Sequence, residues 1–304
     1  MRTSNELEHC LNWVIRRETA RLRKEDGFPY PYIADQIITK FRFCNVRRED
    51  DRVTIWIRKH IREAFAGHPR LWWMLCASRQ INWPWTLMML IGDESVPEDE
   101  RIYDGAWPSE LGDGKFTPQL MADALNDLAS MSKIFTAAYI ITAPSTKGAK
   151  KTDHVALKTL GALWEDREVL TEFFNECGWL EQAHKKLMTY DGWGPFLAYQ
   201  AVVDMRFTPL LDNAGDITSW AAAGPGTLRG LNRLLGRPIK QSMSQAEARD
   251  HIVDLWPQLM NETGVTMDLT DVPNVLCETD KYLRAINGEG TPKQIYKPSK
   301  EPMP

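Results

Sequence analysis

Apolar residues recur at helical spacing along nearly the whole chain. They do so over residues 7–15, where the polar positions carry arginines, and again over residues 53–64. Thr117 before Pro118 has the form of a helix start, and the apolar pattern that follows runs to Ile141. Ser244 opens a further helix with a capping-box sequence. Because no stretch alternates apolar and polar residues, the pattern predicts an all-α fold with few or no strands.

The breaks between these helices predict surface loops within one large domain. Residues 92–114 are rich in Gly, Pro and acidic residues, and residues 143–151 form a basic segment. Beyond residue 287, prolines alternate with lysines, which predicts a mobile tail over residues 288–304. We therefore expect a single helical domain over residues 1–287, which could consist of two helical lobes with a cleft between them.

Composition and charge narrow the class of protein. The 304 residues are 43% hydrophobic and 26% charged, with a net charge of −4, as is typical of a folded globular protein. No apolar run is long enough to cross a bilayer and the N-terminus does not resemble a signal peptide, so we expect a cytoplasmic protein without membrane contact. The slight acidity argues against coating nucleic acid by bulk charge. The cysteines are scattered and the histidines lack ligand spacing, which predicts neither a disulfide framework nor a metal site.

The most informative local feature is the glycine turn Gly192-Trp193-Gly194 between two helical segments. This turn is similar to a helix-hairpin-helix motif, which presents N–H groups at a helix N-terminus to a DNA phosphate. An ordinary glycine-rich connection has the same sequence. Asp216 follows Gly194 by 22 residues, a spacing similar to that of the catalytic aspartate in helix-hairpin-helix DNA glycosylases, which lies beside the flipped base. Asp204 and Asp212 compete for that role, and either could be only a helix cap.

The sequence signatures of three other chemistries are missing. Phe196 stands where lyase-type glycosylases carry their Schiff-base lysine. The C-terminal region has no set of four cysteines for an iron–sulfur cluster. No Walker A sequence occurs in the chain, which disfavours ATP hydrolysis or kinase activity by this sequence.

Three further segments carry more polar residues than a helical core needs. Residues 40–52 interleave arginines and acids, and these arginines could hold phosphate oxygens or pair with neighbouring acids at the surface. Residues 224–230 form a glycine-rich turn opening onto a helix with Arg229, an arrangement suited to an anion. Residues 271–284 form a helix on which Glu278 and Lys281 share a face, as exposed ion pairs often do.

Together these segments resemble a known family, the alpha-glutamyl/putrescinyl thymine pyrophosphorylases, which are amino acid:DNA or polyamine:DNA transferases of bacteriophage thymidine hypermodification. The matching segments occur in family order and are spread over residues 40–284, a range that makes up most of the chain: FRFCNVRREDDRV (41–53), KIFTAAYII (133–141), GWGPFLAYQAVVDMRF (192–207), AAGPGTLRGLNRL (222–234) and DVPNVLCETDKYLR (271–284). A related helical domain occurs in 5-hydroxymethyluracil DNA kinases, fused there to a P-loop domain. The absence of a P-loop here favours the transferase.

The resemblance implies a helical fold similar to the helix-hairpin-helix glycosylases, with any cleft between lobes holding the DNA. The implied reaction replaces the pyrophosphate of 5-(pyrophosphoryloxymethyl)uracil with an amine, such as glycine, another amino acid or a polyamine. The implied partner is double-stranded phage DNA in the cytoplasm of an infected bacterium. Such an enzyme must flip the base, stabilise the departing pyrophosphate and deprotonate the amine. No cofactor is implied, and whether a divalent metal accompanies the pyrophosphate is left open.

The resemblance and the residue types together assign candidate roles. The candidates for the base are Asp216 and, failing it, Glu278 or Asp280. The candidates for binding pyrophosphate and substrate are Arg42, Asn45 at the uracil edge, Arg47, Arg52, Lys147, Gly224, Gly226, Arg229, Lys281 and Arg284. The candidates for contacts with DNA are Gly192, Trp193, Gly194 and Trp220. Trp193 and Trp220 stand out among the twelve tryptophans, because Trp193 lies inside the hairpin turn and Trp220 follows Asp216 by four residues, where a ring could stack on a base.

Two other functions fit part of this pattern. A DNA glycosylase acting on a modified base would need the hairpin and Asp216 but would leave an abasic site. A non-catalytic DNA-binding subunit of a base-modification complex would carry the same arginines and acids as surface ion pairs.

Overall fold

The computed structural model describes residues 5–92, 102–109, 114–136 and 148–298, and these residues form helices and no sheet. The helices are α1 (Asn5–Glu25), α2 (Gln36–Lys40), α3 (Arg52–Ile57), α4 (Leu71–Ile81), α5 (Pro84–Ile91), α6 (Pro118–Met131), α7 (Lys151–Asp153), α8 (Gly161–Glu165), α9 (Arg167–Glu176), α10 (Leu180–Leu187), α11 (Pro195–Met205), α12 (Pro225–Leu234), α13 (Gln245–Thr263) and α14 (Val272–Ile286). Segments of π-helix over Arg58–Glu63 and His154–Leu160 continue α3 and α7, and 3₁₀ turns lie at Arg48–Asp50 and Leu269–Asp271. The all-α prediction is confirmed. None of the described helices is long and apolar enough to cross a membrane.

The chain folds into two compact units. The split unit comprises Met1–Asp51 and Thr218–Pro302, and the central unit comprises Arg52–Ile217. The split unit therefore contains α1, α2 and α12 to α14, whereas the central unit contains α3 to α11. The sequence analysis allowed for two lobes, and the cleft that it placed between them stays a prediction.

The split unit is built on the close approach of α12 and α14. A Cβ atom placed on Gly230 would lie 2.4 Å from the carbonyl oxygen of Leu276, and one placed on Gly226 would lie 2.3 Å from Sγ of Cys277. Glycines four residues apart on α12 thus form a flat strip against which α14 packs. The sequence analysis assigned Gly226 to anion binding, but in the structure its small size serves this helix contact.

The central unit is built around α4, all of whose residues are buried. The ring of Trp73 on this helix contacts those of Trp107, Phe116 and Trp164, with centroid separations of 4.9–5.8 Å. Arg79 on the same helix forms a fully buried ion pair with Asp204. Asp204, one of the acids considered for the catalytic role, is therefore engaged in a structural ion pair. The aromatic cluster accounts for part of the high tryptophan content.

Two predicted boundaries differ from the structure. The helix that begins at Pro118 ends at Met131 and not at Ile141, because the backbone is extended at Ser132. The tail was expected to be mobile, yet Ile295 forms an antiparallel bridge with Phe41, in which the N–H of Tyr296 donates to the carbonyl oxygen of Lys40 at 2.9 Å. Most of the two loops predicted around residues 92–114 and 143–151 lies outside the described residues.

The α12–α14 contact can be tested with Gly230→Ala. Alanine favours a helix over glycine, but its methyl group would meet a backbone carbonyl that cannot rotate away, so we expect a loss of about 1–3 kcal/mol in unfolding free energy. The matched control is Gly224→Ala at the start of the same helix, where a Cβ meets nothing within 4 Å. Urea unfolding measures both, and equal stability of the two variants would contradict the close contact.

Candidate functional site

The predicted helical hairpin is present in the central unit. Helix α10 ends at Leu187 and α11 begins at Pro195, with Gly194 as its N-cap and no side-chain cap. Gly192 has a φ of +83°, and a Cβ there would lie 2.6 Å from Oγ1 of Thr159, so the turn requires glycine at this position. A Cβ at Gly194 would meet nothing within 4 Å. The start of α11 therefore has the form that can present backbone N–H groups to an anion.

The tryptophan inside this turn does not lie on the surface. Trp193 is 1% exposed, and its indole nitrogen donates to the carbonyl oxygen of Thr159 at 3.3 Å. Trp220 in the split unit is also buried. In this structure neither ring can stack on a base, which corrects the expectation that the sequence analysis placed on them. A large ring in a glycine turn contributes more apolar contact by turning inward, and burial cannot be read from its position in sequence.

Asp216 contacts the backbone at the start of α10. Its Oδ1 accepts from the N–H of Leu180 at 2.7 Å, and its Oδ2 accepts from the N–H of Glu181 at 2.9 Å. A carboxylate at a helix N-terminus accepts hydrogen bonds from N–H groups that the helix leaves unpaired. Its negative charge also interacts favourably with the positive end of the helix dipole. These contacts describe a helix cap, a role that the sequence analysis had considered for Asp204 and Asp212 but not for Asp216. Asp212 is exposed, and its carboxylate accepts from the adjacent Asn213.

Three of the family-like segments meet around α14 in the split unit. The N–H of Cys44 donates to Oε2 of Glu278 at 3.1 Å, and Nδ2 of Asn274 donates to the carbonyl oxygen of Asn45 at 3.0 Å. Gly226 on α12 packs against Cys277 on α14. The segments around residues 41–51, 224–234 and 271–284 thus form one assembly, although they lie far apart in the sequence.

The centre of this assembly is the carboxylate of Asp280, which is 0% exposed. It is surrounded by the Nε atoms of three arginines: Arg229 at 2.8 Å, Arg233 at 2.9 Å and Arg284 at 3.3 Å. A buried charge is tolerated only when it is paired, and these contacts pair it. Arg233 also binds Glu289 through both of its Nη atoms.

Arg229 and Arg284 keep part of their guanidinium groups available. Their side chains are 37% and 38% exposed, and both meet Asp280 through Nε. Within the described residues, their Nη atoms make no hydrogen bond to protein. Two guanidinium groups held by one buried carboxylate are suited to a phosphate or pyrophosphate group, because their N–H groups can bind two oxygens at once. We call Arg229, Arg284 and Asp280, together with Glu278 and Lys281, the arginine site.

Glu278 and Lys281 form an ion pair at this site. Nζ of Lys281 lies 2.6 Å from Oε2 of Glu278 and 4.7 Å from the ring centre of Phe43. Oε2 of Glu278 also accepts from Cys44, whereas Oε1 accepts no hydrogen bond from the described residues. Glu278 is therefore a buried carboxylate with one oxygen tied to its neighbours and the other available.

Asn45 is engaged in internal contacts. Its Oδ1 accepts from Arg17, and its Nδ2 donates to the carbonyl oxygen of Asp50 at 2.6 Å. These bonds use the groups that would read a uracil edge, so the structure gives Asn45 the role of holding its own loop. Arg47 is likewise paired with Asp50, at 2.7 Å. Sequence analysis missed Arg17 because a helical pattern does not show which exposed arginine folds over a neighbouring loop.

The remaining candidates are not among the residues of the arginine site, and one of them cannot be placed. Arg42 is exposed, and its backbone N–H donates to Gln294. Arg52 is exposed at the start of α3 in the central unit. Gly224 is the N-cap of α12. Lys147 lies outside the described residues.

The side chains of the site are not arranged for a metal ion or for thiol chemistry. Among the described residues no group of three His, Cys, Asp or Glu side chains is placed to hold a metal. Burial raises the pKa of Cys277 to about 11, so its thiol is protonated at neutral pH and is a poor nucleophile.

Fold and site define an all-α protein with a helical hairpin and a site rich in partly exposed arginines. The model of the family described as "5-hmdU DNA kinase, helical domain" matches residues 4–291, and the chain therefore belongs to this family. The family connects the chain with DNA modification and thymidine hypermodification. No curated protein and no solved structure matches the chain.

Asp271 lies directly before α14 and joins it to the 41–51 segment. Its Oδ1 accepts from the N–H of Arg48 at 2.8 Å, and its Oδ2 accepts from the N–H of Asp268 at 2.9 Å. Burial raises the pKa of this carboxyl from 3.8 to about 7, against the lowering effect of the two hydrogen bonds. Sequence analysis included Asp271 in a motif but gave it no role, because its contact with the backbone of Arg48 joins residues far apart in sequence.

This shift predicts a pH dependence of stability. Between pH of about 4 and about 7 the folded protein holds a proton on Asp271 that the unfolded chain has lost, so stability should fall as pH rises through this range. The fall due to this group has an upper bound of about 4 kcal/mol. Asp271→Asn should remove it, whereas Asp250→Asn at an exposed position should not. Urea unfolding at several pH values measures this, and parallel curves for wild type and Asp271→Asn would contradict it.

Proposed function

We propose that this protein is a transferase that acts on DNA and replaces the pyrophosphate of 5-(pyrophosphoryloxymethyl)uracil with an amine. The observation that carries the proposal is the arginine site, where Arg229 and Arg284 share the buried carboxylate of Asp280 and remain partly exposed. Membership of a family tied to 5-hmdU in DNA supports a substrate of this type. The resemblance of the motif segments to amino acid:DNA and polyamine:DNA transferases supports amine transfer.

The reaction makes demands that this site can meet. The bond between the 5-methylene carbon and oxygen breaks, and pyrophosphate leaves with the electron pair. The amine nitrogen forms the new bond to carbon and gives up a proton. Arg229 and Arg284 would balance the charge of the leaving group, which is stabilisation of the charge that develops in the transition state.

Glu278 is the acid we assign to the incoming amine. Its Oε1 accepts no hydrogen bond from the described residues, and its Oε2 pairs with Lys281, which together support this choice. Asp280 itself is bound by arginines on each side, and Asp216 is occupied as the cap of α10. Glu278 was the second candidate in the sequence analysis, and the hydrogen bonds of the other acids move it to first place.

The hairpin is our proposed contact with the DNA backbone. The start of α11 is uncapped by side chains and Gly194 leaves open space, which suits the approach of a phosphate. Contact of this kind needs no high net charge and is therefore consistent with the slightly acidic chain.

A second candidate function is a DNA-binding module without chemistry of its own. The family description names a helical domain of a kinase, which is an observation in favour of a supporting role. In that case the Glu278–Lys281 pair and the arginines would bind the modified nucleotide without reacting. A glycosylase has less support, because the carboxylate of Asp216 is engaged by two backbone N–H groups.

One experiment distinguishes these functions. The protein is incubated with duplex DNA containing 5-(pyrophosphoryloxymethyl)uracil and a mixture of glycine, other amino acids and putrescine. The DNA is then digested to nucleosides for mass spectrometry. A transferase yields a heavier thymidine and free pyrophosphate, a glycosylase yields an abasic site, and a binding module yields neither. Unchanged nucleosides under binding conditions would refute the transferase.

Arg229→Ala should weaken binding of pyrophosphorylated DNA by about tenfold or more, while binding of unmodified DNA changes little, because a charge-assisted hydrogen bond to the pyrophosphate is removed. Arg237→Ala is the matched control, since this arginine of the same unit is paired with Glu247 and lies outside the arginine site. Fluorescence anisotropy with both DNAs measures the effect. Equal weakening for both DNAs would reassign Arg229 to the DNA backbone.

Glu278→Gln should reduce kcat for transfer by about 10²–10⁴-fold with near-normal DNA binding, as expected for loss of a general base. Asp216→Asn should instead lower stability by about 1 kcal/mol through the weakened helix cap and leave the transfer rate of folded protein near wild type. Single-turnover rates and thermal unfolding are measured on both variants. The reverse pattern would restore Asp216 as the base.

A further inference from the structure

A group of aromatic side chains lies on the surface of the split unit, outside the arginine site. Phe28 is 55% exposed and Tyr30 is 41% exposed, and both lie on the loop between α1 and α2. The ring centre of Tyr30 is 5.6 Å from that of Tyr32 and 5.9 Å from that of Tyr296. We call Phe28, Tyr30, Tyr32 and Tyr296 the aromatic patch.

Hydrogen bonds hold this patch in place. The hydroxyl of Tyr30 donates to the carbonyl oxygen of Thr39 at 3.0 Å, and the N–H of Tyr296 donates to the carbonyl oxygen of Lys40 at 2.9 Å. Nη1 of Arg23 donates to the carbonyl oxygen of Tyr32 at 3.1 Å. The rings are therefore displayed on a fixed backbone, which lowers the entropy cost of binding a flat ligand.

The surroundings of the patch are basic although the chain as a whole is acidic. The exposed cations on these segments are Arg23, Lys24, Lys40, Arg42, Lys293 and Lys297. Two of the three acids between residues 23 and 42 are already in ion pairs, Glu25 with Arg21 and Asp35 with Arg16. The local charge thus complements a polyanion.

Arg17 on α1 contacts the loop that carries Cys44, and this loop in turn contacts the arginine site. Nε of Arg17 donates to the carbonyl oxygen of Cys44, whose own N–H binds Glu278. The aromatic patch and the arginine site both lie in the split unit.

Exposed rings among lysines and arginines are the chemistry that binds an unpaired nucleic-acid strand, whose bases stack on the rings while its phosphates meet the cations. We propose that the aromatic patch binds the unpaired DNA strand next to the base presented to the arginine site. This proposal rests on the proposed function for the identity of the ligand as DNA. It adds a second DNA-binding surface, which recognises unpaired bases and not the duplex backbone.

The test measures binding of a single-stranded oligonucleotide carrying 2-aminopurine and of a matched duplex. Tyr30→Ala should weaken single-strand binding by about tenfold and abolish the quenching of 2-aminopurine, with little change for the duplex. Tyr30→Phe keeps the ring and removes only the hydrogen bond to Thr39, so it should bind as wild type. The pair of variants separates stacking from a structural role of the hydroxyl.

The role of the exposed lysines around the aromatic patch is tested through the salt dependence of single-strand binding. Lys24→Ala combined with Lys297→Ala should reduce the slope of log affinity against log salt by about 0.7 for each phosphate group that the protein no longer neutralises. Lys240→Ala, an exposed lysine on the loop between α12 and α13, is the control and should leave the slope unchanged. An unchanged slope in the double variant would overturn the proposed role of these cations.

Two further outcomes would overturn the proposal: normal binding by Tyr30→Ala, or an equal loss with single strand and duplex. Failure of the proposed function has a different signature. If no amine is transferred but Tyr30→Ala still loses single-strand binding and Tyr30→Phe does not, the proposed single-strand surface is supported and the proposed transferase activity is refuted. If transfer occurs and both Tyr30 variants bind single-stranded DNA normally, the transferase activity is supported and the single-strand surface is refuted.

Discussion

The split unit depends on one buried negative charge. The carboxylate of Asp280 is inaccessible to water, and within the part of the chain that the structure describes its charge is balanced by arginines that reach it from α12 and from the next turn of α14. Removing one partner of such a group commonly costs about 3–5 kcal/mol, since the remaining charge stays buried. The same requirement orients Arg229 and Arg284, whose remaining guanidinium N–H groups form the anion site that we propose.

This arrangement is possible because α12 is nearly flat on the side that faces α14. Without side chains at Gly226 and Gly230 the two backbones approach closely, and Asp280 comes within reach of Arg229 and Arg233 on the neighbouring helix. Larger residues would separate the helices and lengthen these ion pairs. Glycines that look like an anion-binding turn in sequence thus act through helix packing, and the arginines that follow them supply the charge.

The helical architecture could largely be predicted from the sequence, whereas the individual roles of the candidate residues could not. The start of α6 at Thr117, the start of α13 at Ser244 and the hairpin before Pro195 follow local capping and glycine rules. Trp193 and Asn45 were assigned to a surface, yet one is in the core and the other holds its own loop. Those assignments depend on partners far away in sequence, such as Thr159 and Arg17, which a local pattern does not reveal.

By itself, the sequence determined which segments are helices, where several of them begin and which residue types belong to the motif segments of a DNA-modification family. Those features depend on neighbours within a turn or two, whose interactions are local. Only the tertiary structure decided which acids are free to act. Burial and hydrogen bonding made Asp216 a cap and Asp280 an anchor and left one oxygen of Glu278 available, because the state of a carboxylate depends on groups that folding brings to it.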